Sequence, residues 1–444
     1  MRRKLYLIQP TYRNPKGELH QGTKLAYCSL ALPALSATIP PDWEKEFCIE
    51  YYENVNYESD ASVVGISSMG YDLLHGMEIA AEFKRRGKKV LFGGTQAAIS
   101  ADRLTGLCDA VVSGNPGPRD LQSILDDATN GNIQSVYNVG MHVNFSFDYS
   151  VFEGRVMRFV SVLSSVGCRN ACSFCSTASL YGGSYRLRSL EYVIADLHSA
   201  RRYGRDIVFG DSNIFNNREY LARLCARIIK EKLHIRWGAQ CTVDIGDDEE
   251  LLSLLHQSGC LVLLVGLETL SQANMLGVEK EYSVDLHKER INRIRAAGIE
   301  VGGYFILGME NDGPQSFNEL YEFIAETGIA LPVLNILLPA PGTSLYEQLK
   351  REGRLLVNDD VEFLKNNARY ATASSHCFYV PKQMSVQETE EGFLHLYERL
   401  TRWPVILRRS LRPNLHASLV LLMMNAEMRS EYSAMRRPST ALAG

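Results

Sequence analysis

Ser165-Val166-Gly167-Cys168-Arg169-Asn170-Ala171-Cys172-Ser173-Phe174-Cys175 gathers three cysteines within eight residues. It follows an apolar run, Phe159–Leu163, that reads as a β-strand, so the three thiols stand on a loop at a strand end. A cubane iron–sulfur cluster normally takes four thiolates. Three cysteines separated by three and two residues wrap three corners of such a cube and leave the fourth iron without a protein ligand. An open coordination position separates a catalytic metal centre from a closed structural one. The competing reading is a zinc ion held by three cysteines and a histidine, but the nearest histidines in sequence are His142 and His198.

Working outward, the other seven cysteines (Cys28, Cys48, Cys108, Cys225, Cys241, Cys260 and Cys377) are scattered singly. They read as small apolar core residues, not as a disulfide framework. The chain of 444 residues suits two or three domains, and 45% hydrophobic with 22% charged residues is a globular enzyme's composition. A net charge of −4 gives no electrostatic reason to bind nucleic acid. Arg408, Arg409 and Arg412 read as a solvated helix face. The apolar run after Met1-Arg2-Arg3 is too short for a signal peptide and reads as a first strand. Leu419–Met424 is too short to span a bilayer. A cytoplasmic location with no membrane partner is expected.

Residues 1–140 alternate strand and helix patterns, which predicts a Rossmann-like, doubly wound parallel sheet. Strands are expected at Lys4–Ile8, Glu46–Tyr52, Ser62–Ser68, Lys89–Phe92 and Asp109–Ser113, with helices at Tyr27–Ala37 and Leu74–Arg86. Gly93-Gly94 and Gly114 close two of these strands, where glycine serves either tight turns or close approach to a ligand. Asp126–Phe152 reads as a linker. Over residues 150–345 strands are expected at Phe159–Leu163, Ile207–Phe209, Ile235–Ala239, Leu261–Val265, Val301–Phe305 and Leu334–Leu337. Amphipathic helices fall between them at Leu190–Tyr203, Tyr220–Lys232, Glu249–Ser258 and Leu286–Ala297. Six such repeats predict a partial (β/α)6 barrel with its site at the carboxyl ends of the strands. Residues 346–444 form a mainly helical extension, with His376–Pro381 as a strand or loop at the barrel mouth and a poorly ordered terminus from Ser430 onward.

The Cys-x3-Cys-x2-Cys spacing, with Phe174 just before the last cysteine, resembles the signature of the radical S-adenosylmethionine (SAM) superfamily. The resemblance implies a 4Fe–4S cluster on Cys168, Cys172 and Cys175, and SAM chelated to the open iron. It further implies a 5′-deoxyadenosyl radical that abstracts a substrate hydrogen, and an external electron donor such as flavodoxin or ferredoxin. Further segments resemble the family's SAM-holding elements. Phe209-Gly210-Asp211-Ser212 would offer backbone carbonyls to the methionine ammonium. Gln240 would reach the ribose or carboxylate, and Gly266-Leu267-Glu268 places a carboxylate for the amino group or ribose. Gly298–Gly308, with Tyr304, would line the adenine. The implied cofactor-binding set is Phe174, Gly210, Asp211, Ser212, Gln240, Gly266, Glu268 and Tyr304.

A doubly wound domain upstream of this barrel resembles the cobalamin-binding-domain branch, as does Pro339-Ala-Pro-Gly-Thr-Ser-Leu-Tyr346. Two departures speak against bound cobalamin. Gly114-Asn-Pro-Gly-Pro-Arg119 carries two prolines where relatives have a Gly-Glu-rich turn, and the loop after Gly94 lacks a His-Pro-Thr pattern. The resulting expectation is a cobalamin-free, dehydratase-type lyase acting on a polar small molecule, like the radical SAM diol dehydratase of aminoglycoside (antibiotic) biosynthesis, with a downstream reductase as partner. Candidate catalytic groups are Asp211, Glu268, Tyr304 and Asn335, with Asp244 and Glu310 also at strand ends or in loops. The alternative is a cobalamin-dependent radical SAM methyltransferase. A third reading is a scaffold or sensor that keeps a cluster without turnover.

Overall fold

The computed structural model describes residues 3–14, 17–27, 29–70, 72–95, 97, 101–104, 106–275, 283–359, 362–363, 375–412 and 414–435. Cys28 and the last nine residues, 436–444, lie outside that set, as does most of the loop after Gly94. The chain forms two compact units. The first comprises Met1–Val166 and Tyr185–Gly210, and the second Gly167–Ser184, Asp211–Phe363 and the carboxy-terminal helices. The fold class is α/β: a Rossmann-like parallel sheet, a partial parallel barrel and a helical carboxy-terminal region.

In the first unit the main strands are β1 (Lys4–Gln9), β2 (Lys24–Tyr27), β3 (Glu44–Ile49), β4 (Val63–Ser67), β5 (Lys89–Gly93), β6 (Ala110–Asn115), β7 (Val136–Met141), β8 (Val156–Val162) and β9 (Asp206–Phe209), beside a three-residue strand at Tyr185–Leu187. Six of them make a parallel sheet in the order β3-β1-β4-β5-β6-β7. Every residue of β4 is buried, as a central strand covered on both faces requires. The strand order reverses between β1 and β4, and a sheet of this kind takes its ligand in the crevice outside the carboxyl ends at such a point. β2 stands apart and pairs in parallel with β8, which pairs with β9.

Sequence patterning missed two strands and a helix here. β2 and β7 are edge strands with exposed positions throughout, so neither carries a buried apolar run. The expected linker holds the end of helix Pro118–Asn130 and all of β7. Pro118 sits in the first helical turn, where a missing N–H costs nothing, and Asp120 accepts the Gly117 N–H at 2.9 Å. Pro118 thus starts a helix, and Pro116 stands just before its N-cap residue, Gly117.

One buried ion pair ties the segment after β7 to the end of β8. Arg188 and Asp196 meet at 2.8 Å with both side chains fully enclosed. The guanidinium also donates to the carbonyls of Val143, Leu163 and Phe145 at 2.9, 2.7 and 2.6 Å, and lies 4.0 Å from the Phe147 ring centre. The Phe147 N–H completes the knot on Asp196 at 2.9 Å.

Gly94 closes β5 with φ +99°, and a Cβ there would lie 2.0 Å from the Ser68 carbonyl oxygen. Gly94→Ala therefore carries the left-handed penalty of ~1–2 kcal/mol plus a backbone clash. Gly87, with φ +73° and nothing within 4 Å, carries the penalty alone. Urea unfolding is expected to show Gly94→Ala as clearly the more destabilised of the two; equal midpoints would refute the close approach.

The second unit contributes β10 (Arg236–Thr242), β11 (Cys260–Glu268), β12 (Glu300–Leu307) and β13 (Leu331–Ile336), paired in parallel in chain order. Helices Arg218–Lys230, Glu249–Gln257, Val284–Ala296 and Ser316–Thr327 accompany them. Asn217, Asp248 and Ser283 cap the first three through side-chain oxygens, which fixes where each helix starts. After helix Ser344–Arg351, Tyr379 bridges Leu355 and bonds the Gly308 carbonyl. Cys377 is buried there, its thiol 3.0 Å from the Tyr379 carbonyl and pushed up to about 11 by burial, which makes it a core residue. Helices Val386–Leu400, Trp403–Ser410 and Leu415–Met435 follow. The last runs five residues past Ser430, so the expected disorder does not begin there. Among the described residues no helix is long and apolar enough to cross a membrane.

Candidate active site

Cys168, Cys172 and Cys175 are all free and half-buried on the loop that opens the second unit. Gly167 turns the chain into the loop at φ +85°, and the Cys175 N–H closes onto the Cys172 carbonyl at 3.1 Å. Cys175 then caps the short helix Ser176–Tyr181. The Cys172 thiol is pushed up to about 11 by burial first, then by Glu268 and by the thiols of Cys175 and Cys168. That mutual influence places the three sulfurs and one carboxylate in a shared field. Among the described residues no group of His, Cys, Asp and Glu side chains is gathered tightly enough for a single ion. A cubane asks for something else, each thiolate on its own iron, and three free thiols on one loop fit it.

The loop is held from three sides. The Leu345 N–H bonds the Ser173 carbonyl at 3.0 Å, which brings the Pro339–Tyr346 segment to the cysteines. Arg169 pairs with Asp244 at 2.7 Å and lies 5.5 Å from the Phe215 ring centre. Asn216, buried, accepts from the Arg169 N–H at 3.1 Å and donates to the Gly167 carbonyl at 3.3 Å. Asp244 thus serves the loop through an ion pair. Asn216 was invisible to sequence reading, since nothing in its neighbourhood announces a contact 47 residues away.

Parallel sheets ordinarily bury both faces, yet one face of β10–β13 stays accessible. Gln240, then Leu264, Gly266 and Glu268, then Tyr304 and Ile306, then Val333 and Asn335 are exposed or half-exposed, alternating with buried neighbours. The register sets Gly266 opposite Tyr304 and Ile306 opposite Asn335, so these side chains share one floor. Gln240 donates to the Tyr304 hydroxyl at 3.2 Å across the intervening strand. Glu268 sits at φ +55°, a left-handed conformation costing a non-glycine residue ~1–2 kcal/mol, where the β11–β12 register slips. A Cβ on Gly266 would lie 2.8 Å from the Glu268 carboxylate, so the glycine makes room for it. Such strain concentrates at functional sites.

Burial pushes Glu268 up to about 7. Its folded-state value therefore lies above that of an exposed glutamate, and ionisation opposes folding. The penalty is absent at pH 4, accrues as pH rises from the exposed-glutamate range toward 7, and is fully present above it. In the cluster-free chain Glu268→Gln is expected to melt above wild type at pH 8 and equal to it at pH 4. A lower melting temperature at pH 8 would show that the carboxylate is stabilised instead.

The remaining expected site residues fall as follows. Asp211 is fully buried, whereas Gly210 and Ser212 beside it are exposed and Phe174 is half-exposed. The Ser212 hydroxyl lies 3.3 Å from that of Thr177. Glu310 is bound in ion pairs with Arg354, at 2.6 Å, and with Lys382, which makes it a structural group instead of a site acid. Among the described residues ten buried polar side-chain atoms lack a hydrogen-bond partner, and three of them, Asn213 Nδ2, Thr242 Oγ1 and Asp244 Oδ1, lie at the carboxyl side of their strands. Orphans of this kind are costly unless a ligand or water meets them, and they suit the amino, carboxylate and ribose groups of SAM.

Comparison with known proteins identifies the domain. Residues 162–324 match the model of the radical SAM superfamily. The bacteriochlorophyllide d C-12(1)-methyltransferase of Chlorobaculum tepidum is 27% identical over 79% of this chain and 77% of its own. The C-8(2)-methyltransferase of the same organism is 25% identical over 86% and 87%. The radical SAM methyltransferase TsrM of Kitasatospora setae, solved with tryptophan substrate and a SAM analogue, superimposes with a TM-score of 0.69 at 15% identity over 98% and 99% of the two chains. Another structure of TsrM holds cobalamin and a [4Fe–4S] cluster. These findings overturn the expected dehydratase-type lyase, because the relatives that align through most of both chains are methyltransferases. The error came from weighting a few loop residues, Pro116 and Pro118 among them, over the fold that carries them. Residues 162–324, which hold the thiol loop and most of the strands after it, are thus a domain of the radical SAM superfamily, and the whole chain shares its fold with TsrM.

Proposed function

We propose that the chain is a cobalamin-dependent radical SAM methyltransferase. The observation that carries this reading is the alignment, through both units, with two methyltransferases over more than three quarters of each chain. The cobalamin held by the structural neighbour TsrM supports it. So does the crevice at the β1/β4 switch point. There Asp72 accepts from the Ser68 hydroxyl and from the N–H groups of Met69 and Gly70, and stiffens a loop that leaves Met69 57% exposed. An exposed apolar side chain on a rigid loop suits the broad apolar face of a corrin. Met69, Gly70 and Gly94 are the residues that would hold it.

When bound, the cluster supplies the electron that cleaves SAM, and cobalamin supplies a transferable methyl group. The chain's own residues bind and orient. Cys168, Cys172 and Cys175 take three irons. Gly210, Ser212, Gln240, Gly266, Glu268 and Tyr304 would hold SAM. Glu268, pushed up to about 7 by burial in the cluster-free chain, stands beside Cys172. The floor mixes Leu264, Ile306 and Val333 with Gln240, Tyr304 and Asn335, so the substrate combines an apolar body with a few polar groups. An external one-electron donor of flavodoxin or ferredoxin type completes the system.

The test is anaerobic reconstitution with cobalamin and SAM labelled in its methyl carbon. Cobalt retained one per chain, with label in the product, is the expected result. A chain that retains no cobalamin, or that yields an unlabelled deoxygenated product, would defeat the proposal.

A further inference from the structure

We propose that Asn216 is a positioning residue for the Cys168 corner of the cluster, and that it tunes the cluster's reduction potential by engaging the peptide groups on both sides of that cysteine. The inference rests on the radical SAM assignment and not on the methyl-transfer reading. Asn216 is 4% exposed and ends the short helical turn Ile214–Asn216 after β9. Its amide accepts the Arg169 N–H at 3.1 Å and donates to the Gly167 carbonyl at 3.3 Å, so one side chain brackets Cys168 in the sequence. Neither Cys172 nor Cys175 has a side chain bonded to both flanking peptides among the described residues.

The bracket has an electrostatic consequence. Backbone N–H groups after a cluster cysteine are the ordinary donors to cluster sulfur, and each such hydrogen bond raises the potential by stabilising the reduced, more negative state. On this loop the Asn170 N–H faces the Cys168 sulfur at 3.5 Å, while the Arg169 N–H is withheld by Asn216. The Arg169 guanidinium, paired with Asp244 and lying against Phe215, is kept from turning in to neutralise the sulfurs. The arrangement keeps the cluster strongly reducing, as cleavage of a sulfonium requires.

Two substitutions separate positioning from mere support. Asn216→Ala releases the Arg169 N–H, so the midpoint potential of the reconstituted cluster is expected to move positive. Asn216→Asp keeps the acceptor, loses the donor to Gly167 and adds a negative charge, so the potential is expected to move negative. Both variants should lose roughly 10- to 100-fold in SAM cleavage rate, the usual cost of removing an outer-shell partner. Asn217→Ala is the control. It removes the cap that bonds the Tyr220 N–H at 2.9 Å in the same segment, lowers thermal stability and leaves the potential unmoved. Iron content and the electron paramagnetic resonance spectrum, with and without SAM, are read on the same samples. Opposite shifts in the two Asn216 variants support the proposal. Unchanged potential and spectrum in a folded, iron-loaded Asn216→Ala chain overturn it. If that variant fails to fold, an unshifted or positively shifted Asn216→Asp overturns it instead. A wild-type chain that binds no cluster would sink the family reading, a distinct outcome.

Discussion

Replacing Cys172 with alanine is expected to abolish SAM cleavage, by far more than the ~10- to 100-fold that loss of an outer-shell partner costs. Burial, Glu268 and both neighbouring sulfurs all resist ionisation of its thiol. The free thiol is therefore protonated at neutral pH, and only bonding to iron draws out the thiolate. Without it, two thiolates remain on a loop built for three, and the iron they would hold has no fixed open corner. Iron and sulfide per chain, and 5′-deoxyadenosine formed under reductant, are the measurements. Cys377→Ala is the matched comparison, since its thiol packs against the Tyr379 carbonyl and its loss should leave iron content intact. Wild-type turnover by Cys172→Ala would end the cluster assignment.

The second large effect is on stability. Arg188→Ala is expected to cost about 3–5 kcal/mol, the usual consequence of removing one partner from a buried pair. Asp196 would stay enclosed as an uncompensated charge, and three carbonyls, on Val143, Phe145 and Leu163, would lose their donor together. Arg188→Lys should recover little, because one ammonium cannot serve a carboxylate and three carbonyls in a planar fork. Replacing both partners by apolar residues of similar volume should cost far less than either single change. Chemical unfolding reads all three, and a loss below about 1 kcal/mol for Arg188→Ala would show the pair to be dispensable.

The sequence carried whatever was written in local periodicity. β1, β4, β5 and the barrel strands are apolar runs bounded by turn residues, and their helices are amphipathic, so both sheets were legible. So was the thiol loop, whose spacing is itself the chemistry. Elements that depend on something distant were not legible. β2 and β7 exist because a neighbouring strand pairs with them, not because their own residues demand burial. Glu310 looks like a site acid until Arg354 and Lys382 arrive from beyond residue 350. Asn216 is one amide among Asn213, Asn216 and Asn217, and only the fold tells the three apart: one caps its own turn, one grips the thiol loop, one starts a helix.

The accessible floor of β10–β13 separates two jobs that most catalytic pockets entangle. The three thiols hang on a loop at a strand end, while the apolar positions Leu264, Ile306 and Val333, which the proposed function gives to the substrate, belong to strand interiors. Exchanging Leu264, Ile306 or Val333 for smaller or larger apolar residues resizes the berth without moving a thiol.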